Sequence, residues 1–247
     1  MVTMQQPPTK PPAPKLNVAR LTNKNPRPNP PGSKRILIVD DHPLFRKGLT
    51  QLIDSEGAFA VCGEAGNASE AMEAIRKLSP DLVIVDLSLP GANGIELIKN
   101  IRAEFQRLPV LVLSMHDESL YALRALRAGA DGYVMKHEAM ANVTDAIREL
   151  LNGRPYLSPA MAAQVITKFA HRQAEGETDA VERLSDRELE ILELIGKGHE
   201  VRQIAKVLHL SPKTVETHRA HIKDKLDLRN SREVARFALQ WLNARDA

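Results

Sequence analysis

Leu82-Val83-Ile84-Val85-Asp86-Leu87-Ser88-Leu89-Pro90-Gly91 is an apolar run that carries an acid and breaks into a turn. Four consecutive aliphatic residues, most of them β-branched, suit a strand buried on both faces, as in a parallel sheet. Pro90-Gly91 and the following Asn93-Gly94 are turn chemistry. Asp86 is the residue that asks for a reason, because a carboxylate inside an apolar strand is costly unless something pairs with it.

The same shape recurs upstream. Residues 35–40 (RILIVD) are an apolar run ending in acids, with Asp41 next in line. Pro43 then opens a helical spacing through Leu44, Phe45, Gly48, Leu49, Leu52 and Ile53. A second strand over 59–64 leads to a helix starting near Asn67, whose Ala68, Ala71, Met72, Ile75 and Leu78 keep the period until Ser79-Pro80 stops it. Downstream of Asp86, Ile95, Leu97, Ile98 and Ile101 mark a helix. Strand 110–114, helix 119–128, strand 132–135 and helix 140–151 follow. Five strand–helix units within about 120 residues predict a doubly wound, five-stranded parallel sheet flanked by helices. Asp40, Asp41, Asp86, Ser114 and Lys136 all fall at the carboxyl ends of strands, the edge where such folds build sites.

Three carboxylates brought to one edge repel each other and raise one another's pKa unless a cation neutralises them. Hard oxygen ligands at that density suit Mg²⁺. A hydroxyl from Ser114 and an ammonium from Lys136 on the same edge would serve an incoming phosphoryl group, with a carboxylate as nucleophile. Each residue alone has a plainer explanation. Asp40-Asp41 before Pro43 could cap a helix, Ser114 could be a turn residue, and Lys136 could be solvated. Five polar residues at matching strand ends are what the plain account does not cover.

Beyond the strands, residues 158–170 carry a helical pattern (Met161, Val165, Ile166, Phe169) and 173–180 are polar, so 158–181 reads as a partly helical linker between 34–157 and 182–247. Past Leu184 no strand pattern remains, and four short helices fit over 186–197, 200–209, 212–226 and 231–242. Ser185 with Glu188 makes a capping box, Gly196 and Gly198 close the first helix, and Ser211-Pro212 open the third. On the third helix Val215, Ile222 and Leu226 share one face. Lys213, Glu216, Thr217, Ala220, His221 and Asp224 share the other. A short helix, a tight turn and a helix with an exposed polar face predict a helix-turn-helix.

Asp40-Asp41-His42-Pro43-Leu44-Phe45-Arg46, Val85-Asp86-Leu87-Ser88-Leu89-Pro90-Gly91 and Gly132-Tyr133-Val134-Met135-Lys136 resemble the three signature segments of response regulator receivers. The resemblance implies strand order 2-1-3-4-5, Asp86 as phosphoacceptor, and Mg²⁺ held by Asp41, Asp86 and the Ser88 carbonyl, with Asp40 acting through water. It implies that Ser114 and Lys136 hold the phosphoryl group, and that Tyr133 is an aromatic whose ring turns inward on phosphorylation. His137 departs from the proline many receivers place after this lysine and leaves the turn geometry open. Leu184-Ser185-Asp186-Arg187-Glu188-Leu189-Glu190-Ile191-Leu192 and Ser211-Pro212-Lys213-Thr214-Val215-Glu216-Thr217-His218 are similar to the LuxR-type effector domain. Together they resemble the NarL/FixJ type of two-component response regulator, a transcription factor rather than an enzyme.

By that resemblance Lys213, Glu216, Thr217, Ala220 and His221 meet the major groove, and Arg202 and Lys225 meet phosphates. His199-Glu200-Val201 departs from the family's usual residues there and puts one backbone contact in doubt. Val234, Ala238 and Trp241 would lie on a dimer surface, which predicts inverted half-sites on double-stranded DNA. Trp241 covering the domain's own core is the competing account. The implied partners are a histidine kinase, promoter DNA and a second copy of the chain. A haloacid-dehalogenase-type phosphatase would need its nucleophile on the first strand and a second acid two residues on, whereas Asp40 is followed by Asp41 and His42. A phosphorylation-independent DNA-binding regulator is the other alternative.

The totals agree with this division. Of 247 residues, 43% are hydrophobic, 26% charged and 4% aromatic, an ordinary globular balance with an aliphatic core. The net charge of +3 hides a partition: residues 1–35 hold seven Lys and Arg and no acid, 36–157 hold twelve against seventeen, and 182–247 hold thirteen against eleven. Residues 1–33, rich in Pro and without hydrophobic period, read as a disordered basic arm. No apolar run is long enough to span a bilayer, no signal pattern opens the chain, and Cys62 stands alone, so a cytoplasmic protein is expected.

Overall fold

The computed structural model describes residues 32–91, 93–115, 118–171 and 180–244. The basic arm lies outside the described residues except for its last two, and so does most of the polar stretch at 173–180. Strands β1 (Lys34–Val39), β2 (Phe59–Ala65), β3 (Leu82–Asp86), β4 (Val110–Ser114) and β5 (Gly132–Met135) alternate with α1 (Pro43–Ser55), α2 (Ala68–Leu78), α3 (Gly94–Glu104), α4 (Glu118–Ala128) and α5 (Ala139–Leu151). The strands pair in parallel in the order β2-β1-β3-β4-β5, the topology expected from the sequence.

Strand alternation sorts the core into two layers. Ile36 and Ile38 join Leu49, Ile53, Val143 and Ile147 under α1 and α5. Leu37 and Val39 face the other way, into a layer with Ile75, Ile98, Ile101 and Tyr121 under α2, α3 and α4. Register then sets the site. Val85 pairs with both Val39 and Val112, so Asp40 and Asp86 leave the sheet side by side, with Ser114 and Met135 paired beyond them. The carboxyl edge of the sheet is thereby lined by the polar residues.

Local chemistry ends the helices where the sequence says. Asn67 caps α2, accepting from Glu70 N at 3.0 Å, and Ser79 closes it in the left-handed region at φ 45°. Asn93 caps α3, accepting from Ile95 N at 2.7 Å. At Gly94 a side chain is excluded: an added Cβ would collide with the Asp86 carbonyl oxygen and sit 2.5 Å from Leu87 Cα. The turn after β3 is therefore pressed directly against the peptide of Asp86. His137 occupies a 3-10 turn (Lys136–Glu138) that leads into α5.

Helix α6 (Pro159–His171) packs on α4. A 3-10 turn (Ala180–Arg183) precedes the bundle of α7 (Asp186–Gly196), α8 (Val201–Val207), α9 (Pro212–Lys225) and α10 (Ser231–Asn243). The capping box of Ser185 and Glu188 forms as expected, at 3.3 and 2.7 Å. Glu200, the departure noted above, is the N-cap of α8, where its backbone N donates to Gln203 Oε1 at 2.8 Å. The bundle's core residues Leu189, Leu192, Ile204, Val215, Ile222, Val234 and Ala238 continue the layer under α3 and α4.

Candidate functional site

Asp40, Asp41 and Asp86 offer carboxylate oxygens that lie with His42 within 4.8 Å of one another. Lys136 reaches across from the end of β5 and its Nζ is 2.7 Å from both Asp40 Oδ2 and Asp86 Oδ2. Asp86 Oδ1 accepts from Ser88 N at 3.1 Å, and Asp40 Oδ1 from His42 N at 2.8 Å. Asp40 and Asp86 are buried, as are Ser114 and Lys136. One ammonium therefore serves two buried carboxylates, which leaves the cluster net negative.

Burial pushes the Asp86 carboxyl above its ordinary pKa, with Lys136 opposing and Asp40 adding to the rise. Burial alone would lower Lys136. The charges and hydrogen bonds of Asp86 and Asp40 outweigh it and leave the lysine raised, and so charged. Asp41 Oδ1 is buried and accepts no hydrogen bond, with His42 Nδ1 2.6 Å away. A buried acceptor with no hydrogen bond among clustered carboxylates fits a divalent cation with oxygen ligands, so Asp41, Asp86 and Asp40 are residues that could hold Mg²⁺.

Sequence reasoning missed two neighbours here. Phe45 lies beneath Lys136, its ring centroid 4.9 Å from Nζ, a cation–π contact that fixes the lysine stem. Arg46 donates to the Asp40 carbonyl and pairs with Glu64 at 2.9 Å, anchoring the turn between β1 and α1. Both stand in the Pro43–Arg46 stretch, where Phe45 and Arg46 turn to the strand end while Leu44 is exposed. Tyr133, expected to move inward on phosphorylation, is already 1% exposed and lies within the α4-side core.

On α9 the structure separates the two faces as expected. Val215 and Ile222 are buried, while Lys213, Glu216, Thr217, Ala220 and His221 are exposed together. Thr217 Oγ1 donates to the Lys213 carbonyl at 3.0 Å, and Arg219 pairs with Glu216 at 3.3 Å. Arg202 is exposed on α8. Lys225, expected at a phosphate, has its Nζ 2.7 Å from Glu188 Oε2 and so ties α9 to α7.

The dimer-surface expectation for Val234 and Ala238 is corrected. They are 1% and 0% exposed and sit in the bundle's own core. At Gly196 of α7 an added Cβ would meet the Ala238 carbonyl oxygen at 2.7 Å, so the two helices touch backbone to backbone there. Trp241 is half-buried against the same core, which is the competing account of it, and Leu239 is a large apolar residue that α10 leaves exposed.

With this geometry fixed, comparison with known proteins gives the family. The profile described as "Response regulator receiver domain" matches residues 36–148, and "Bacterial regulatory proteins, luxR family" matches 182–238. The chain is 34% identical over 210 residues to the oxygen regulatory protein NreC of Staphylococcus carnosus, covering 83% of this chain and 97% of that protein. The chain belongs to the NarL/FixJ-type response regulators.

Among solved structures, a LuxR-family response regulator from an Aurantimonas species is 40% identical, with a TM-score of 0.52 over 56% of this chain and 99% of that one. RcsB of Salmonella enterica serovar Typhimurium, bound to promoter rprA with the phosphomimetic BeF3−, is 26% identical, with a TM-score of 0.55 over 83% of this chain and 98% of that one. The chain is thus a DNA-binding response regulator of a two-component system, and a transcriptional regulator rather than a phosphatase. No helix among the described residues is long and apolar enough to cross a membrane.

Proposed function

We propose that this response regulator accepts a phosphoryl group on Asp86 from a cognate histidine kinase or a small phosphodonor, and that the change alters how its LuxR-type domain binds promoter DNA. The observation that supports it most is the ammonium of Lys136 held equally by the buried carboxylates of Asp40 and Asp86, beside the buried Oδ1 of Asp41. Asp41, Asp86 and the Ser88 carbonyl would hold Mg²⁺, with Asp40 acting through water, and the ion would supply neutralising charge for the phosphoryl oxygens. Asp86 is the nucleophile. Lys136 exchanges its contact with the Asp86 carboxylate for a phosphoryl oxygen, and the Ser114 hydroxyl hydrogen-bonds another. The receiver segment is 34–157, the linker 158–181 and the effector domain 182–247.

On DNA, α9 enters the major groove with Lys213, Glu216, Thr217, Ala220 and His221 towards base edges, and Arg202 and Lys225 towards phosphates. The protein acts in the cytoplasm as a homodimer on inverted half-sites. Trp241 and Leu239 on α10 are the apolar residues left for that contact.

The test is intact mass after incubation with acetyl phosphate and Mg²⁺, for wild type and Asp86→Asn. One phosphoryl group on wild type alone is expected. Uptake by both proteins would mean that another residue is the acceptor. A second reading, DNA binding independent of phosphate, is favoured by one observation: the reading face of α9 is exposed. Equal DNA affinity for wild type, with and without acetyl phosphate, and for Asp86→Asn would establish that reading.

A further inference from the structure

Helix α9 carries two histidines three residues apart, His218 and His221, a spacing that makes their side chains neighbours on the helix surface. The packing of α9 on α7 brings a carboxylate to them. Glu188, His218 and His221 each offer one ligand atom, and those atoms lie within 4.8 Å of one another. Glu188 is buried, His218 half-buried and His221 exposed, so the group runs from the seam between the helices out to the surface of α9. The two rings stand perpendicular, with centroids 6.4 Å apart.

The carboxylate is fixed in advance. Its Oε2 accepts from Ser185 N at 2.7 Å and from Lys225 Nζ at 2.7 Å, and Glu188 N donates to Ser185 Oγ at 3.3 Å. The other oxygen, Oε1, lies 3.7 Å from His221 Nδ1. That separation is too long for a hydrogen bond. It is close to the roughly 3.4 Å between neighbouring ligand atoms around a tetrahedral ion with bonds of about 2.1 Å. His218 Nδ1 is buried and has no hydrogen-bond partner among the described residues, although buried polar atoms normally have one. Burial holds the His218 ring below its ordinary pKa, with Glu188 opposing, and the neutral ring is the form that ligates a metal.

We propose that Glu188 Oε1 and the rings of His218 and His221 form a site for a Zn²⁺-class ion on the effector domain, and that its occupation opposes DNA binding. The second half rests on His221 reading the major groove, as proposed above. Two imidazoles and one carboxylate are a donor set for borderline metals, in contrast to the oxygen-rich pocket around Asp86. Three protein ligands leave one tetrahedral position to water, so the ion is held less fully than in a closed four-ligand site and can come and go. Coordination through Oε1 leaves the Ser185 and Lys225 contacts on Oε2 in place, and the capping box survives. The nearby Lys225 ammonium repels the ion and limits its affinity. Once tied to Glu188 through the metal, the His221 ring is no longer free to turn to a base edge. Metal and DNA compete for one side chain, and by linkage each lowers the affinity of the other by the same factor.

The test titrates Zn²⁺ into the full wild-type chain with Mg²⁺ present throughout, and follows the histidine rings by long-range proton–nitrogen correlation spectra. His218 and His221 are expected to shift in step and to saturate together. Shifts at His221 alone, or only at His42 beside the acidic pocket, would overturn the three-ligand site. His221→Gln, at an exposed position, should weaken Zn²⁺ binding at His218 at least about tenfold, the scale of losing even a supporting residue; an unchanged affinity would also overturn it. DNA binding is then read on a duplex that the wild-type protein enriches from a random-sequence pool without Zn²⁺. Zn²⁺ should weaken wild-type binding to it about tenfold and leave His218→Gln unaffected, each protein being compared only with itself. Equal wild-type affinity with and without Zn²⁺ would overturn the antagonism. In-step ring shifts combined with an unchanged base preference in His221→Gln would instead refute the groove reading of His221 on which the antagonism rests.

Discussion

Lys136→Met leaves Asp40 and Asp86 facing each other at 3% and 1% side-chain exposure with no ammonium between them. The cost has a ceiling. The protein can escape the unpaired buried charge by protonating one carboxylate, and at pH 7 that means adding a proton about three units above the ordinary aspartate value of 3.8. At about 1.4 kcal/mol per unit the ceiling is about 4 kcal/mol, within the range of about 3–5 for breaking a buried ion pair. The sign with pH follows. A carboxyl whose folded pKa is raised further binds more protons folded than unfolded, so stability falls as pH rises above the unfolded value. The variant's deficit should shrink to about 1–2 kcal/mol at pH 5 and grow towards pH 7. Mg²⁺ at the same oxygens should restore more stability to the variant than to wild type, because it replaces the missing charge. Amide exchange at Val83 and Val85 during urea titration reads the receiver alone, which avoids assuming that two domains unfold together. A loss below about 1 kcal/mol at pH 7, or no additional gain from Mg²⁺, would refute the claim that Lys136 is the counter-charge of this pocket.

Two further outcomes follow from the effector domain. Burial alone would raise Glu188, but the hydrogen bonds from Lys225 and Ser185 prevail and hold its carboxyl below its ordinary pKa. That contribution is present above the unfolded value near 4.3 and is lost as pH falls through the folded one, so Lys225→Met should cost about 1 kcal/mol at pH 7 and nothing at low pH, measured as urea midpoints of the bundle. On operator DNA, His221→Ala should lose about 1–3 kcal/mol and relax preference at one base pair, whereas Arg202→Ala should weaken all sequences alike and reduce the salt slope by about one. A uniform loss for His221→Ala would place that residue on phosphate rather than on bases.

The sheet was readable because β1, β3 and β4 are aliphatic runs of one type, with Ser79-Pro80, Pro90-Gly91 and Asn93-Gly94 as punctuation. Strand ends are fixed by the same residues, so the convergence of Asp40, Asp86, Ser114 and Lys136 followed once the topology was known. The cation–π support from Phe45 was not readable, since an aromatic on an amphipathic helix is by default core. Val234 and Ala238 misled for a related reason. Their spacing marks an apolar face without saying what covers it, and Gly196 on α7 provides the cover by letting α10 come close. The stripe Asp186, Glu190, Glu193 was the signal left unused. Acids at that spacing on a helix look like a solvated face, and only the opposing Asn93, Tyr121 and Arg124, far away in sequence, turn it into an interface.

That interface changes how the two halves of the chain must be coupled. Docking that covered α9 would regulate DNA binding by simple obstruction, but Lys213, Glu216, Thr217 and His221 are exposed in the docked arrangement. A ligand or modification shifts an equilibrium only through its different interactions with the two states. For DNA contacted by one α9, those contacts are available in both states, so the monomeric half-site gains little from release. The difference has to come from the second copy. Two LuxR-type domains must stand about one helical turn of DNA apart to read inverted half-sites, and a bundle fixed to α3 and α4 through Asp186, Glu190 and Glu193 cannot adjust its position to meet that spacing. Freed from the receiver, α7 carries α9 through Glu188–Lys225 and α10 through Gly196–Ala238 as one body. On the proposed function, regulation would act on the pairing of two domains on DNA, where simultaneous engagement multiplies weak half-site affinities.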